Sequence, residues 1–93
     1  MMRVTVRVFG ELTQLLSRRN FLELDEGATV GNLANRMAEE AGLKRHGYLG
    51  NFKVGGSELA ILVNGRNIAL LAGVSTVLED GDEVVILPPS TGG

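Results

Sequence analysis

The chain has 93 residues, of which 44% are hydrophobic and 22% charged, with nine basic against eleven acidic side chains and a formal net charge of -2. That length suits one small domain. The charge balance leaves no basic footprint for nucleic acid and no polybasic cluster for an anionic membrane. There is no cysteine, so disulfides, thiolate metal sites and thiolate chemistry are excluded on this chain.

Met2, Val4, Val6 and Val8 alternate with Arg3, Thr5, Arg7 and Phe9. Period two with β-branched residues on one side predicts a half-buried strand, and it places Phe9 on the nominally polar face. The same stretch lacks a signal-peptide apolar run, and the longest apolar runs in the chain, about five residues, fall far short of a membrane span. A cytoplasmic protein is expected. Gly10 breaks the strand, and Leu12, Leu15 and Leu16 predict a short helix across Glu11 to Arg18. Asn20 to Leu24 reads as a second strand, closed by Asp25-Glu26-Gly27.

Thr29 is a good helix N-cap, because its hydroxyl can accept an orphan N–H of the first turn. Val30, Leu33, Ala34, Met37, Ala38 and Ala41 form one apolar helical stripe, with Asn32, Asn35, Arg36, Glu39 and Glu40 on the other face. Gly42 is the expected stop. Leu43 to Glu58 reads as a long irregular loop. Leu59 to Val63 predicts a strand, followed by the hairpin dipeptide Asn64-Gly65. Ile68 to Leu78 breaks into short pieces around Gly73, and Asp80-Gly81-Asp82 is a turn. Glu83 to Leu87 predicts a central strand with both faces covered, ended by Pro88-Pro89 because proline cannot donate to a ladder. If this strand lies parallel to the first, the intervening chain with its helix supplies the crossover.

Three segments together resemble a known family. They are Val63-Asn64-Gly65-Arg66, then Leu78-Glu79-Asp80-Gly81-Asp82-Glu83-Val84, then Leu87-Pro88-Pro89-Ser90-Thr91-Gly92-Gly93. The sequence looks like the small sulfur-carrier subunit of molybdopterin synthase, grouped with the thiamine sulfur carrier and the ubiquitin-like archaeal modifiers. Val8-Phe9-Gly10 and Thr29-Val30 fit as well; the 43–58 loop is longer than the bacterial members need. The resemblance implies an α+β, β-grasp (ubiquitin-like) fold: a mixed sheet of four to five strands with one main helix on one face. Residues 1–87 would form the domain and residues 88–93 a flexible Gly-Gly tail.

The tail has a chemical logic of its own. A carboxylate reacts with sulfide only after conversion to a mixed anhydride with a good leaving group, such as AMP. Gly92 and Gly93 have no side chains and can pass a narrow channel, while Pro88 and Pro89 stiffen the base toward an extended form. Six residues reach at most about 20 Å. With no cysteine, sulfur carriage leaves only the terminal carboxyl group. The resemblance also implies a thiocarboxylate on Gly93, formed after an E1-like enzyme spends ATP to adenylate it, and then inserted into the large synthase subunit. No bound cofactor or metal is expected. The chain is read as a carrier and not as an enzyme by itself.

Phe9 and Leu87, with Ile68 as a third member, are expected to form an apolar partner-docking patch beside the tail residues Pro88, Pro89, Ser90 and Thr91. The shared activation step leaves three acceptors open: the molybdopterin precursor, target protein lysines, and tRNA bases. A plain non-covalent interaction module is the reading from a different class. His46 has no second metal ligand nearby in sequence. Asp80, Asp82 and Glu83 lack calcium-loop spacing, and Gly55-Gly56-Ser57 lacks the lysine of a phosphate loop.

Overall fold

Side-chain alternation in the first strand decides which side of the sheet becomes core. The computed structural model describes residues 1–43 and 45–89. Strand β1 (Met2–Val8) buries Met2, Val4, Val6 and Val8 on one face. Strand β2 (Arg19–Leu24) pairs with it antiparallel and adds Leu22 and Leu24 to the same side. Helix α1 (Val30–Glu40) lays Val30, Leu33, Ala34, Met37 and Ala38 into this core. Its start is held by a reciprocal cap. The Asn32 N–H donates to Thr29 Oγ1 at 3.2 Å, and the Thr29 N–H donates to Asn32 Oδ1 at 2.9 Å. Two orphan donors are thereby satisfied, as the Thr29 N-cap predicts.

The remaining strands are β3 (Tyr48–Leu49), β4 (Phe52–Lys53), β5 (Ala60–Val63), β6 (Arg66–Asn67) and β7 (Glu83–Leu87). The main sheet has the order β2-β1-β7-β5-β6, with β7 parallel to β1 and antiparallel to β5. Strand β7 is therefore central, and the long connection through α1 makes the parallel pairing possible. Asn64 (φ 51°) and Gly65 (φ 85°) turn the β5–β6 hairpin with both central residues left-handed, the conformation that Asn-Gly favours. A mixed five-stranded sheet with one main helix on one face is the β-grasp arrangement.

Three local expectations are corrected. Between β1 and β2 the chain makes a 3-10 turn over Gly10–Gln14 instead of a helix reaching Arg18. The two antiparallel strands are already in register at Arg7 and Arg19, so the connection has room for little more than one turn, pinned by buried Leu12 and Leu16. The 43–58 segment is not wholly irregular. β3 and β4 form a hairpin whose Leu49 is fully buried and packs toward α1. Two-residue strands are too short to show a period in sequence. Finally, β7 is central but covered on one face only. Val84 and Ile86 are buried under the helix, whereas Val85 and Leu87 on the other face are half-buried.

Candidate docking face at the base of the tail

The face of the sheet opposite α1 carries no packed layer among the described residues. Register assembles its central row. Val85 of β7 is flanked by Arg7 of β1 and Leu62 of β5, and all three are half-buried. One step along, Leu87 stands opposite Ala60. Phe9 continues β1 beyond its last ladder pair: its N–H donates to the Ile86 carbonyl at 3.2 Å. That bond carries the parallel register past Val8 and Ile86, and brings Phe9 to the same end of the face as Leu87. The Phe9 ring is 39% exposed, and the Arg7 guanidinium carbon lies 5.2 Å from its centroid, a cation–π spacing.

Pro88, the first residue after β7, is seated by Gly10. Gly10 has φ of 66°, and a Cβ placed there would stand 2.7 Å from Pro88 Cγ. Only glycine combines that backbone with that approach. The base of the tail is thus held by the turn that follows Phe9.

Of the expected patch residues, the structure brings together Phe9, Leu87 and Pro88, with Pro89 exposed next in sequence. It does not bring Ile68. That residue opens a 3-10 turn after β6 and is 5% exposed within the core, because the turn folds its side chain inward under the sheet. Ser90, Thr91, Gly92 and Gly93 lie outside the described residues. Arg7 was not among the expected patch residues, although the alternation that puts Phe9 on the open face puts Arg7 there too.

Asp80 and Asp82 hold turns together. The Arg3 N–H donates to Asp80 Oδ1 at 2.7 Å. Asp82 accepts from Asn64 Nδ2 at 2.9 Å and from the Glu79 N–H at 2.8 Å. These bonds lock the start of β7 to the β5–β6 turn and to the start of β1, so the register that delivers Leu87 beside Phe9 is set partly from the opposite end. Among the described residues, no helix is long and apolar enough to cross a membrane.

Comparison with known proteins agrees with this construction. The ThiS family matches residues 6–93. A relative from Haloferax volcanii named "Small archaeal modifier protein 3" is 29% identical, over 99% of this chain and all of its own. A relative from Archaeoglobus fulgidus named "Putative sulfur carrier protein" is 38% identical, over 77% of this chain and 83% of its own. Among solved structures, the complex of subunits 1 and 2 of the molybdopterin-converting factor from Helicobacter pylori contains a chain of TM-score 0.62 and 29% identity. It covers 99% of this chain and 100% of that one. With the family matched over nearly its whole length and the β-grasp topology in place, the chain belongs to the ThiS family of sulfur carriers and ubiquitin-like modifiers.

Proposed function

We propose that the chain carries sulfur as a thiocarboxylate on Gly93, formed by an E1-like adenylating enzyme and delivered to the molybdopterin precursor within a two-subunit synthase. The observation that carries this reading is the seat of the tail's base at Pro88. Pro88 follows the central strand directly, and it is seated on Gly10 beside the open Phe9–Leu87 face. A partner docked on that face would meet the base of the tail at Pro88.

The chemistry needs nothing from a side chain of this protein. The terminal carboxylate oxygen attacks the α-phosphorus of ATP, pyrophosphate leaves, and an acyl adenylate results. A sulfide donor then forms the C–S bond as the C–O bond to AMP breaks. The absence of cysteine is consistent with sulfur held at the terminus.

A second reading is conjugation to target lysines. It is favoured by the similarity to the archaeal modifier over 99% of this chain. Both readings share the adenylate and differ in the nucleophile that consumes it.

Intact mass after incubation with ATP, the activating enzyme and a sulfide source tests the proposal. A gain of about 16 Da, sulfur replacing one oxygen, is expected in the wild type and not after deletion of Gly93. No gain with an enzyme shown to be active would defeat sulfur carriage. Lysine-linked Gly-Gly remnants on other proteins would favour the modifier.

A further inference from the structure

The antiparallel pair β1–β2 treats charge in opposite ways at its two ends. On the open face near the start of β1, Arg3 is the cross-strand partner of Glu23, and the two form an ion pair at 3.5 Å. Thr5 then faces Phe21. At the tail end of the same face, Arg7 is the direct partner of Arg19. Like charges directly opposite across a ladder destabilise it. A third cation, Arg18, adjoins them, with its carbonyl accepting from the Val8 N–H at 2.9 Å. Arg7, Arg18 and Arg19 border one concavity of about 680 Å³ with Phe9, Gly10 and Thr13.

None of the three has an acidic partner among the described residues. The ion pairs there are the N-terminus with Glu26, Arg3 with Glu23, and Arg36 with Glu40. Carboxylates lie at both ends of the sheet, and Glu11, which follows Gly10 at the tail end, makes no ion pair with the three arginines. At the other end, Asp25 and Glu26 follow Leu24, which pairs with Met2, and Asp80 bonds the Arg3 backbone. A net charge of -2 thus includes three arginines grouped at the end from which the tail departs.

We propose that Arg7, Arg18 and Arg19 are a docking site for a carboxylate-rich surface bordering the tail-receiving channel of the activating enzyme. This deepens the sulfur-carrier reading and rests on it. Arginine keeps its charge at all working pH values, and its planar fork suits carboxylates. Complementary charge beside a recessed channel steers encounter and sets the orientation in which Phe9 and Leu87 then pack. The Arg7–Arg19 pair is relieved on binding, because the partner supplies carboxylates that pair with both.

The test is ATP–pyrophosphate exchange by the activating enzyme, titrated with the full-length carrier at low and high sodium chloride. Four proteins are compared: wild type, Arg18→Glu/Arg19→Glu, the charge-matched control Arg36→Glu/Arg66→Glu, and the chain lacking Gly93. The proposal expects the Arg18/Arg19 variant to need roughly tenfold more carrier for half-maximal exchange at low salt. Its maximal rate should be unchanged, the difference should shrink at high salt, and the control should behave as wild type. Equal behaviour of the two charge variants would overturn the docking site while leaving the carrier reading intact, provided exchange with wild type is lost on deleting Gly93. Absence of exchange with the wild type would overturn both.

Discussion

Pro88 lies across Gly10 so closely that a Cβ on Gly10 would come within 2.7 Å of Pro88 Cγ, at a backbone φ of 66°. The residue that opens the turn after β1 and the residue that opens the tail are therefore matched as a pair. Gly10→Ala should cost about 1–3 kcal/mol, from the left-handed backbone and the displaced proline. Urea unfolding gives the stability loss. Activation assays should show a raised half-saturating carrier concentration, because the tail base is shifted. A stability change near zero would show that Pro88 does not rest there.

Phe9 and Ile68 separate docking from folding. Phe9 is 39% exposed and Ile68 is 5% exposed in the core. Phe9→Ala should leave the unfolding midpoint nearly unchanged but weaken binding to the activating enzyme by about tenfold or more, as expected for an aromatic anchor. Ile68→Ala should do the reverse, lowering stability by about 2–5 kcal/mol while the folded fraction binds normally. Calorimetric titration beside urea unfolding distinguishes the two.

Leu49 tests whether the 43–58 segment is part of the domain. It is fully buried against α1. Leu49→Ala should cost about 2–5 kcal/mol in urea unfolding. A surface loop position would change stability by less than about 0.5 kcal/mol.

Asp82 ties two turns together through Asn64 Nδ2 and the Glu79 N–H. Asp82→Ala should destabilise by about 1–2 kcal/mol, since both donors bond a charged acceptor. Amide exchange should quicken at the Asn64-Gly65 turn and at the start of β7, and not in α1.

Local patterns carried much of the fold. The period-two alternation of Met2 to Val8 names its own buried face, because successive side chains on a strand point to opposite sides. The stripe from Val30 to Ala38, with Thr29 before it, specifies an amphipathic helix, and Asn64-Gly65 specifies a hairpin. These signals are legible because spacing along the chain and neighbours in space coincide within one element. Together with the similarity of the C-terminal segments to a known family, they were enough to anticipate the β-grasp arrangement and the placement of Phe9 near Leu87.

What sequence by itself determined was therefore which residues form the longer elements and which faces of β1 and α1 are buried. Tertiary structure decided everything that depends on residues far apart in the chain. Pairing β1 with β7 set Phe9 near Leu87, and the turn at Gly10 seated Pro88. One helix covers one face only, so the apolar run of β7 has a half-buried side where two covered faces were expected. Ile68 and Leu49 became core because their turns fold inward, and two- or three-residue elements carry too few positions to reveal a period. Arg7 met Arg19 because an antiparallel hairpin joins residues whose separation in sequence says nothing about their partner across the ladder.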